Sequence, residues 1–195
     1  MMNRLSFVWA ILLATAVCAE TVRAQQGCIP TQGDYLGPYY VSGTAELENL
    51  NRLGRPGDPV VVSGRILSAG PDRTPLPAAM VEVWQTDGAG NYYPQGDGKV
   101  TDYQPDQIDL RGTVKTDSKG RYQFTTVVPG TYHPRPRHFH YRITAAGHLP
   151  LVTQLYITGD GSFRQPGGEC RHAPLLKTGK GLQYHAPDIY LRPAS

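Results

Sequence analysis

Between residues 60 and 158 the chain runs in short blocks of alternating apolar and polar positions, the period of a strand with one buried face. Residues 79–85 (AMVEVWQ) set Met80, Glu82 and Trp84 on one face and Val81 and Val83 on the other. Residues 121–127 (RYQFTTV) alternate in the same way, and further strands are predicted over 60–67, 112–116, 138–145, 152–158 and 189–191. Turn formers separate these runs: the Gly-, Pro- and Asp-dense stretch 68–77, then 87–91 (DGAGN), 117–120 (DSKG) and Pro129-Gly130. Six or more short strands at this spacing, with no long helical period, predict an all-β fold. The expected form is a β-sandwich of short, mainly antiparallel strands with long functional loops. Residues 25–58 have no useful period, although 46–53 admit one short helical turn. Residues 92–110 are a polar excursion, and a loop that long in a small domain is either functional or disordered.

A length of 195 residues fits one domain with a real core, and 22 Gly and 17 Pro fit a turn-rich one. The first residues change the picture. Arg4 precedes an apolar run over 5–17 and small residues follow, so residues 1–24 read as a secretory signal peptide and 25–195 as the folded domain. Cleavage after Ala24 is the first choice and after Ala19 the competing one. The run is too short for a comfortable membrane span, so no span is expected, and the destination is secreted or periplasmic. The formal charge of +3 falls by one when Arg4, Arg23 and Glu20 leave with the leader. So weak a charge, with no basic stripe, argues against a nucleic-acid partner. Cys28 and Cys170 remain. In an oxidising compartment they either form a staple or stay as two separate buried thiols. The pattern leaves a homo-oligomer open.

Chemistry concentrates in Tyr132-His133-Pro134-Arg135-Pro136-Arg137-His138-Phe139-His140. On a strand, His138 and His140 point to the same face and aim both imidazoles at one spot, as two ligands of one metal ion must. A phenol (Tyr132) and a guanidinium (Arg135) lie close by. Phenolate and imidazole next to a cation suit ferric iron and anionic, oxygen-rich substrates better than structural zinc, which favours cysteine. The bland alternative is an incidental His-x-His in a small β protein, since tyrosines are common in this chain (12 of them). Asp87, Asp97, Asp102, Asp106 and Asp109 match no calcium-loop spacing and read as solvated. His148, His172 and His185 read as surface or loop residues, and Trp84 as core.

Taken in order, the motifs are Gly37-Pro38-Tyr39-Tyr40, the 79–85 strand, Gly90-Asn91-Tyr92, Leu110-Arg111-Gly112, Gly120-Arg121-Tyr122, Pro129-Gly130-Thr131-Tyr132, Arg135-Pro136-Arg137-His138-Phe139-His140, Gln154 and Gly159-Asp160. This series resembles the intradiol ring-cleavage dioxygenases, the protocatechuate and catechol dioxygenases, over roughly residues 28–160. The resemblance implies a β-sandwich holding one non-haem Fe(III). It also implies a catechol-type substrate and O2, with cleavage between the two hydroxyl-bearing carbons to give muconate-type acids. Carried over position by position, the implied metal ligands are Tyr92, Tyr132, His138 and His140. Tyr132 is also the ligand that yields to substrate, Arg135 is the cation beside the reacting ring, and Gln154 supports them. Tyr93 is the rival to Tyr92, because a one-residue slip reverses the face. His133 could line the pocket.

Two departures stand out. Only His133 and Pro134 separate Tyr132 from Arg135, where the best-known members have a longer insert, so a more open site is expected. The N-terminal helical dimerisation region of cytosolic members is also missing, as in the secreted branch, which begins with Cys before Gly-Pro-Tyr-Tyr; Cys28 is in that place here. Residues 60–132 alone also resemble transthyretin-like and carboxypeptidase-regulatory-like modules, which are non-enzymatic. Such modules give no reason for Arg-x-x-His-x-His with tyrosines placed upstream. A copper- or zinc-binding protein using His138 and His140 would leave the tyrosines unexplained.

Overall fold

The computed structural model describes residues 28–132, 134–159 and 168–194. The expected leader, His133 and Asp160 lie outside them. Twelve strands occur among the described residues: β1 (Val41–Ser42), β2 (Pro59–Ser68), β3 (Met80–Trp84), β4 (Gly98–Lys99), β5 (Arg111–Lys115), β6 (Arg121–Val127), β7 (His138–Thr144), β8 (Leu151–Ile157), β9 (His172–Ala173), β10 (Leu175–Thr178), β11 (Gly181–His185) and β12 (Ile189–Leu191). Helical structure there is limited to short 3-10 turns, and no helix is long and apolar enough to cross a membrane.

Two sheets face each other. One runs β5-β3-β7-β8-β9, antiparallel except for β8 with β9. The other is built on the long strand β2, with β6 antiparallel along one edge. Its second edge is shared by β11 and then β12, both parallel to it, and β10 lies outside β11. Alternation decides what lies between the sheets. Val81, Val83, Phe139, Tyr141, Ile143 and Leu155 point inward from the first sheet and meet Val60, Val62, Ile66, Phe124 and Tyr184 from the second. Each such side chain contributes about 1.5–3 kcal/mol on burial. The Phe139 and Tyr184 rings touch at 5.2 Å.

The opposite face of the first sheet carries the polar set: Glu82, Trp84, Arg111, His138, His140, Gln154 and Tyr156. Residues 31–47 roof this face and are tied down by Asp34 N–H to Val152 O (2.9 Å), Thr113 N–H to Ala45 O (2.9 Å) and Leu47 N–H to Thr113 O (2.9 Å). The helical turn expected over 46–53 is absent. Glu46 bridges Thr113 and Asn49 bridges Thr125, so the segment lies extended across both sheets and takes its hydrogen bonds from strands. The 92–110 excursion is ordered by β4 and two single turns, Val100–Asp102 and Pro105–Gln107.

Two of the five aspartates read as solvated are fully buried. Asp109 accepts hydrogen bonds from Arg52 N–H (3.0 Å), Leu53 N–H (3.1 Å) and Arg55 Nε (3.2 Å). Asp87 accepts from Ala89 and Asn91 N–H (2.9 Å each) and from the Tyr93 hydroxyl (2.8 Å). Buried carboxylates survive where amides and cations replace water. Asp97, Asp102 and Asp106 are exposed. Cys28 and Cys170 form a disulfide with Cα atoms 5.3 Å apart, settling that choice for the staple.

Candidate active site

Strand register lays the site out in rows. Arg111, Trp84, His140 and Gln154 are successive cross-strand partners over β5, β3, β7 and β8. His138, Tyr156 and His172 form the next row over β7, β8 and β9. Side chains in such rows share a face and touch. Trp84 stacks flat on His140, with centroids 4.7 Å apart at 11°. It is buried as expected of a core residue, but its packing partner is an imidazole of the site.

Tyr92 and Tyr132 arrive on loops that are laced together. Gly130 N–H donates to Asp87 O (2.7 Å), the Thr86 hydroxyl to Gly130 O (3.0 Å) and Gln85 Nε2 to Val127 O (2.7 Å). The two turns approach so closely that a Cβ on Gly90 would lie 2.4 Å from Thr131 O, and one on Gly130 would lie 2.6 Å from Gly88 O. Gly90 also sits at φ +92°, which only glycine adopts freely. Tyr132 closes a tight turn in which Arg135 N–H donates to Tyr132 O (2.6 Å).

The structure brings Tyr92, Tyr132, His138 and His140 together. His138 Nε2 lies 3.0 Å from His140 Nε2, which lies 3.0 Å from Tyr92 Oη. The Tyr132 ring meets Tyr92 at 5.5 Å and His138 at 5.8 Å. Tyr92 is buried and faces His140. Tyr93 instead bonds Asp87 and carries Arg55 over its ring at 3.9 Å, so the residue gathered at this point is Tyr92.

The electrostatics fit a cation. Burial lowers the His138 pKa to about 4, against the pull of the Pro136 carbonyl, and drives that of His140 well below the ordinary value, helped by His138, Arg135 and Arg111. Both imidazoles are therefore neutral near pH 7. His138 Nδ1 lies 2.6 Å from Pro136 O, which holds its hydrogen there and turns the Nε2 lone pair inward. His140 Nδ1 is buried with no partner. Burial, with the neighbouring phenol of Tyr132, raises the Tyr92 pKa far above the ordinary value. Two imidazole nitrogens and a phenol oxygen converging at 3.0 Å, with the phenolate strongly disfavoured, are what a multivalent cation would draw together and relieve, so these residues fit a bound metal ion.

Around this point, Arg135 Nη2 donates to Gln154 Oε1 and to the Tyr156 hydroxyl (3.1 Å). Gln154 Nε2 donates to Tyr35 O (2.7 Å). Tyr39 stacks on Tyr92 at 4.5 Å, and the Tyr40 hydroxyl donates to Glu82. Gly37 comes so close that a Cβ there would meet His140 Cε1 at 3.0 Å. Arg111 is buried and donates to Tyr93 O (2.7 Å), Tyr39 O (2.8 Å) and Pro94 O (3.2 Å). Burial lowers its pKa to about 10, which leaves it a cation. Sequence reading assigned no role to Arg111, Tyr156, Asp34 or Arg171. Tyr156 was within reach, because it is two residues from Gln154 on a strand. His172, expected at the surface, stacks on Tyr156 at 5.0 Å, while His185 is exposed beside Ser63.

A sandwich whose outer face gathers two phenols, two neutral imidazoles and a held guanidinium presents a donor set that a hard metal cation would fit. A family model described as Dioxygenase matches residues 35–176, and the chain belongs to the intradiol ring-cleavage dioxygenase family. It is 33% identical over 145 residues to catechol 1,2-dioxygenase 2 of Acinetobacter lwoffii, covering 64% of this chain and 50% of that one. It is 32% identical over 172 residues to 6-chlorohydroxyquinol 1,2-dioxygenase of Cupriavidus pinatubonensis, covering 76% and 57%. Among solved structures it resembles the dioxygenase domain of a dioxygenase–carbohydrate-binding protein fusion from Streptomyces sp. SirexAA-E. That match has a TM-score of 0.68 and 28% identity, and covers 85% of this chain and 99% of that one. The chain spans about half the length of the Acinetobacter and Cupriavidus enzymes it matches.

Proposed function

We propose that this chain opens catechol-type rings between the two hydroxyl-bearing carbons, consuming O2 and releasing a muconate-type dicarboxylic acid. One non-haem ferric ion would be held by Tyr92, Tyr132, His138 and His140. The observation that carries the reading is the convergence of His138 Nε2, His140 Nε2 and Tyr92 Oη at successive separations of 3.0 Å, beside Tyr132. Bound there, the ion would supply Lewis acidity and draw electron density from a chelated catechol, making a ring carbon reactive toward O2.

The protein's own groups have separable tasks. The neutral imidazoles, fixed by Pro136 O behind His138 and by Trp84 against His140, are permanent donors. Tyr92, buried under Tyr39, is held in place. Tyr132 is half-buried on a tight turn, so its phenolate is the donor able to swing away and take a hydroxyl proton from the incoming diol. Arg135, aimed by Gln154 and Tyr156, stabilises negative charge developing on the ring oxygens. Residues 34–40 roof the site, Tyr39 lying on Tyr92 and Tyr35 O accepting from Gln154. The names of the relatives point to catechols and hydroxyquinols as the substrates to try first.

We further propose export, with residues 1–24 as a cleaved leader. The disulfide supports this, since such bonds persist outside the reducing cytosol. The mass of the mature protein tests it.

For the activity, the first measurement is the visible spectrum of the ferric-loaded protein before and after anaerobic catechol. Phenolate-to-iron charge transfer should colour it red, with a shift to longer wavelength on catechol. A protein that stays colourless after ferric loading, and does not consume O2 with catechol, overturns the proposal.

A further inference from the structure

Arg135 is attached to a chain of buried polar groups. Its Nη2 donates to Gln154 Oε1 and to Tyr156 Oη (3.1 Å). Tyr156 Oη lies 2.8 Å from Asp34 Oδ2 and 3.0 Å from Gln154 Oε1. A phenol has one hydrogen to give, and a carboxylate is a stronger acceptor than an amide, so that hydrogen goes to Asp34. The lone pairs of Tyr156 are then turned toward Arg135. Asp34 is held in its turn: Arg171 Nη1 donates to the same carboxylate oxygen, Tyr35 N–H donates to Oδ1 (2.7 Å), and the Asp34 N–H is pinned to β8 through Val152 O. The Arg171 side chain is 3% exposed and its guanidinium lies 5.4 Å over the Tyr156 ring. The disulfide fastens this end, since Cys170 adjoins Arg171 and Cys28 begins the segment that carries Asp34.

The charges alternate along the path, from the Arg135 cation through Tyr156 to the Asp34 anion and the Arg171 cation. A free arginine side chain has many rotamers to lose, so one that must meet a developing charge works best already fixed. We propose that Asp34, Tyr156 and Arg171 are positioning residues that hold Arg135 for ring opening, with Cys28–Cys170 as the clasp. This deepens the dioxygenase reading and rests on it.

Tyr156→Phe keeps the ring and removes the link. In the ferric-loaded full chain acting on catechol, it should lower kcat by about ten- to a hundredfold. The resting visible band should stay in place, and KM should change much less than kcat. In an Arg135→Lys background, adding Tyr156→Phe should cost little more, because both act at one point. Asp34→Asn should follow Tyr156→Phe, and Arg171→Lys should retain most activity. A metal-free readout is the rate at which phenylglyoxal modifies Arg135, mapped by peptide mass. In the apoprotein it should rise several-fold with Tyr156→Phe. Losses that multiply in the double variant, or an Arg135 modification rate unchanged from wild type, overturn the positioning. Wild-type protein that takes no iron and opens no catechol overturns the dioxygenase reading instead, while the modification rate still decides whether Tyr156 holds Arg135.

Discussion

Gly90→Ala is the sharpest test of how the two tyrosine loops are joined. Gly90 lies at φ +92°, where an L-residue costs about 1–2 kcal/mol. Its new Cβ would stand 2.4 Å from the Thr131 carbonyl oxygen. Because that atom is backbone, it cannot rotate away. Reaching an ordinary C···O contact of about 3.3 Å needs a retreat of about 1 Å, and Tyr132 is the next residue along. Overpacking of this kind adds about 1–3 kcal/mol, for a total of about 2–5 kcal/mol. In a domain this size each kcal/mol lowers Tm by about 2–4 °C, so the variant should melt about 4–20 °C early. The displacement should also move the Tyr132 phenol relative to Tyr92, so the ferric charge-transfer band should shift or weaken and kcat should fall. Gly179→Ala is the control: it is exposed with nothing within 4 Å, and should stay within about 0.5 kcal/mol of wild type. Thermal melts and visible spectra of both variants decide the matter. A Gly90→Ala protein with wild-type Tm and spectrum would refute the idea that the close approach of these turns sets the tyrosine pair.

His138→Ala should abolish iron binding, and Tyr132→Phe should keep iron but slow turnover; metal analysis beside O2 consumption separates them, and equal iron content in both would mean the ligands are misassigned. The metal-free protein should lose stability in acid. His138 titrates near 4 when folded against an ordinary 6.5, so its contribution is whole above pH 6.5 and lost as pH falls toward 4, because the unfolded chain takes the proton first. The loss is about 3 kcal/mol from this residue, with His140 acting in the same direction. Urea melts of apoprotein at pH 7.5 and 4.5 check it, and a flat profile would contradict neutral burial of the pair. Replacing Cys28 and Cys170 together by serine opens a loop with a sequence separation of 142, worth up to about 5 kcal/mol on chain entropy, and should lower Tm accordingly. Equal melting of the double variant and wild type would show that the bond gains no stability by restricting the unfolded chain.

What could be read in the sequence, and what could not, follows from the range of the interactions. Alternation in 80–84 and 121–127 is local and correctly separated the two faces of each strand, though not which one turns inward, and the same period put His138 and His140 side by side. It also contained Tyr156, two residues from Gln154 and directly across from His138, a position that becomes visible once β7 and β8 are paired. The aspartates could not be separated by composition. Asp87 and Asp97 sit on equally polar stretches, and only the first meets inward-turned amides. Nor could β9 to β11 be read, since their short polar runs are strands only because long neighbours pair with them. The Asp34–Arg171 pair, 137 residues apart, is the extreme case. Neither residue has a local reason to be buried. The disulfide brings Arg171 to the segment leading to Asp34, Val152 O anchors Asp34, and the Tyr156 hydroxyl then makes the pair part of the site. A sequence motif names the groups that meet substrate. The groups that hold those in place are chosen by tertiary proximity, which is why the guanidinium of Arg135 could be recognised in the chain while the means of fixing it could not.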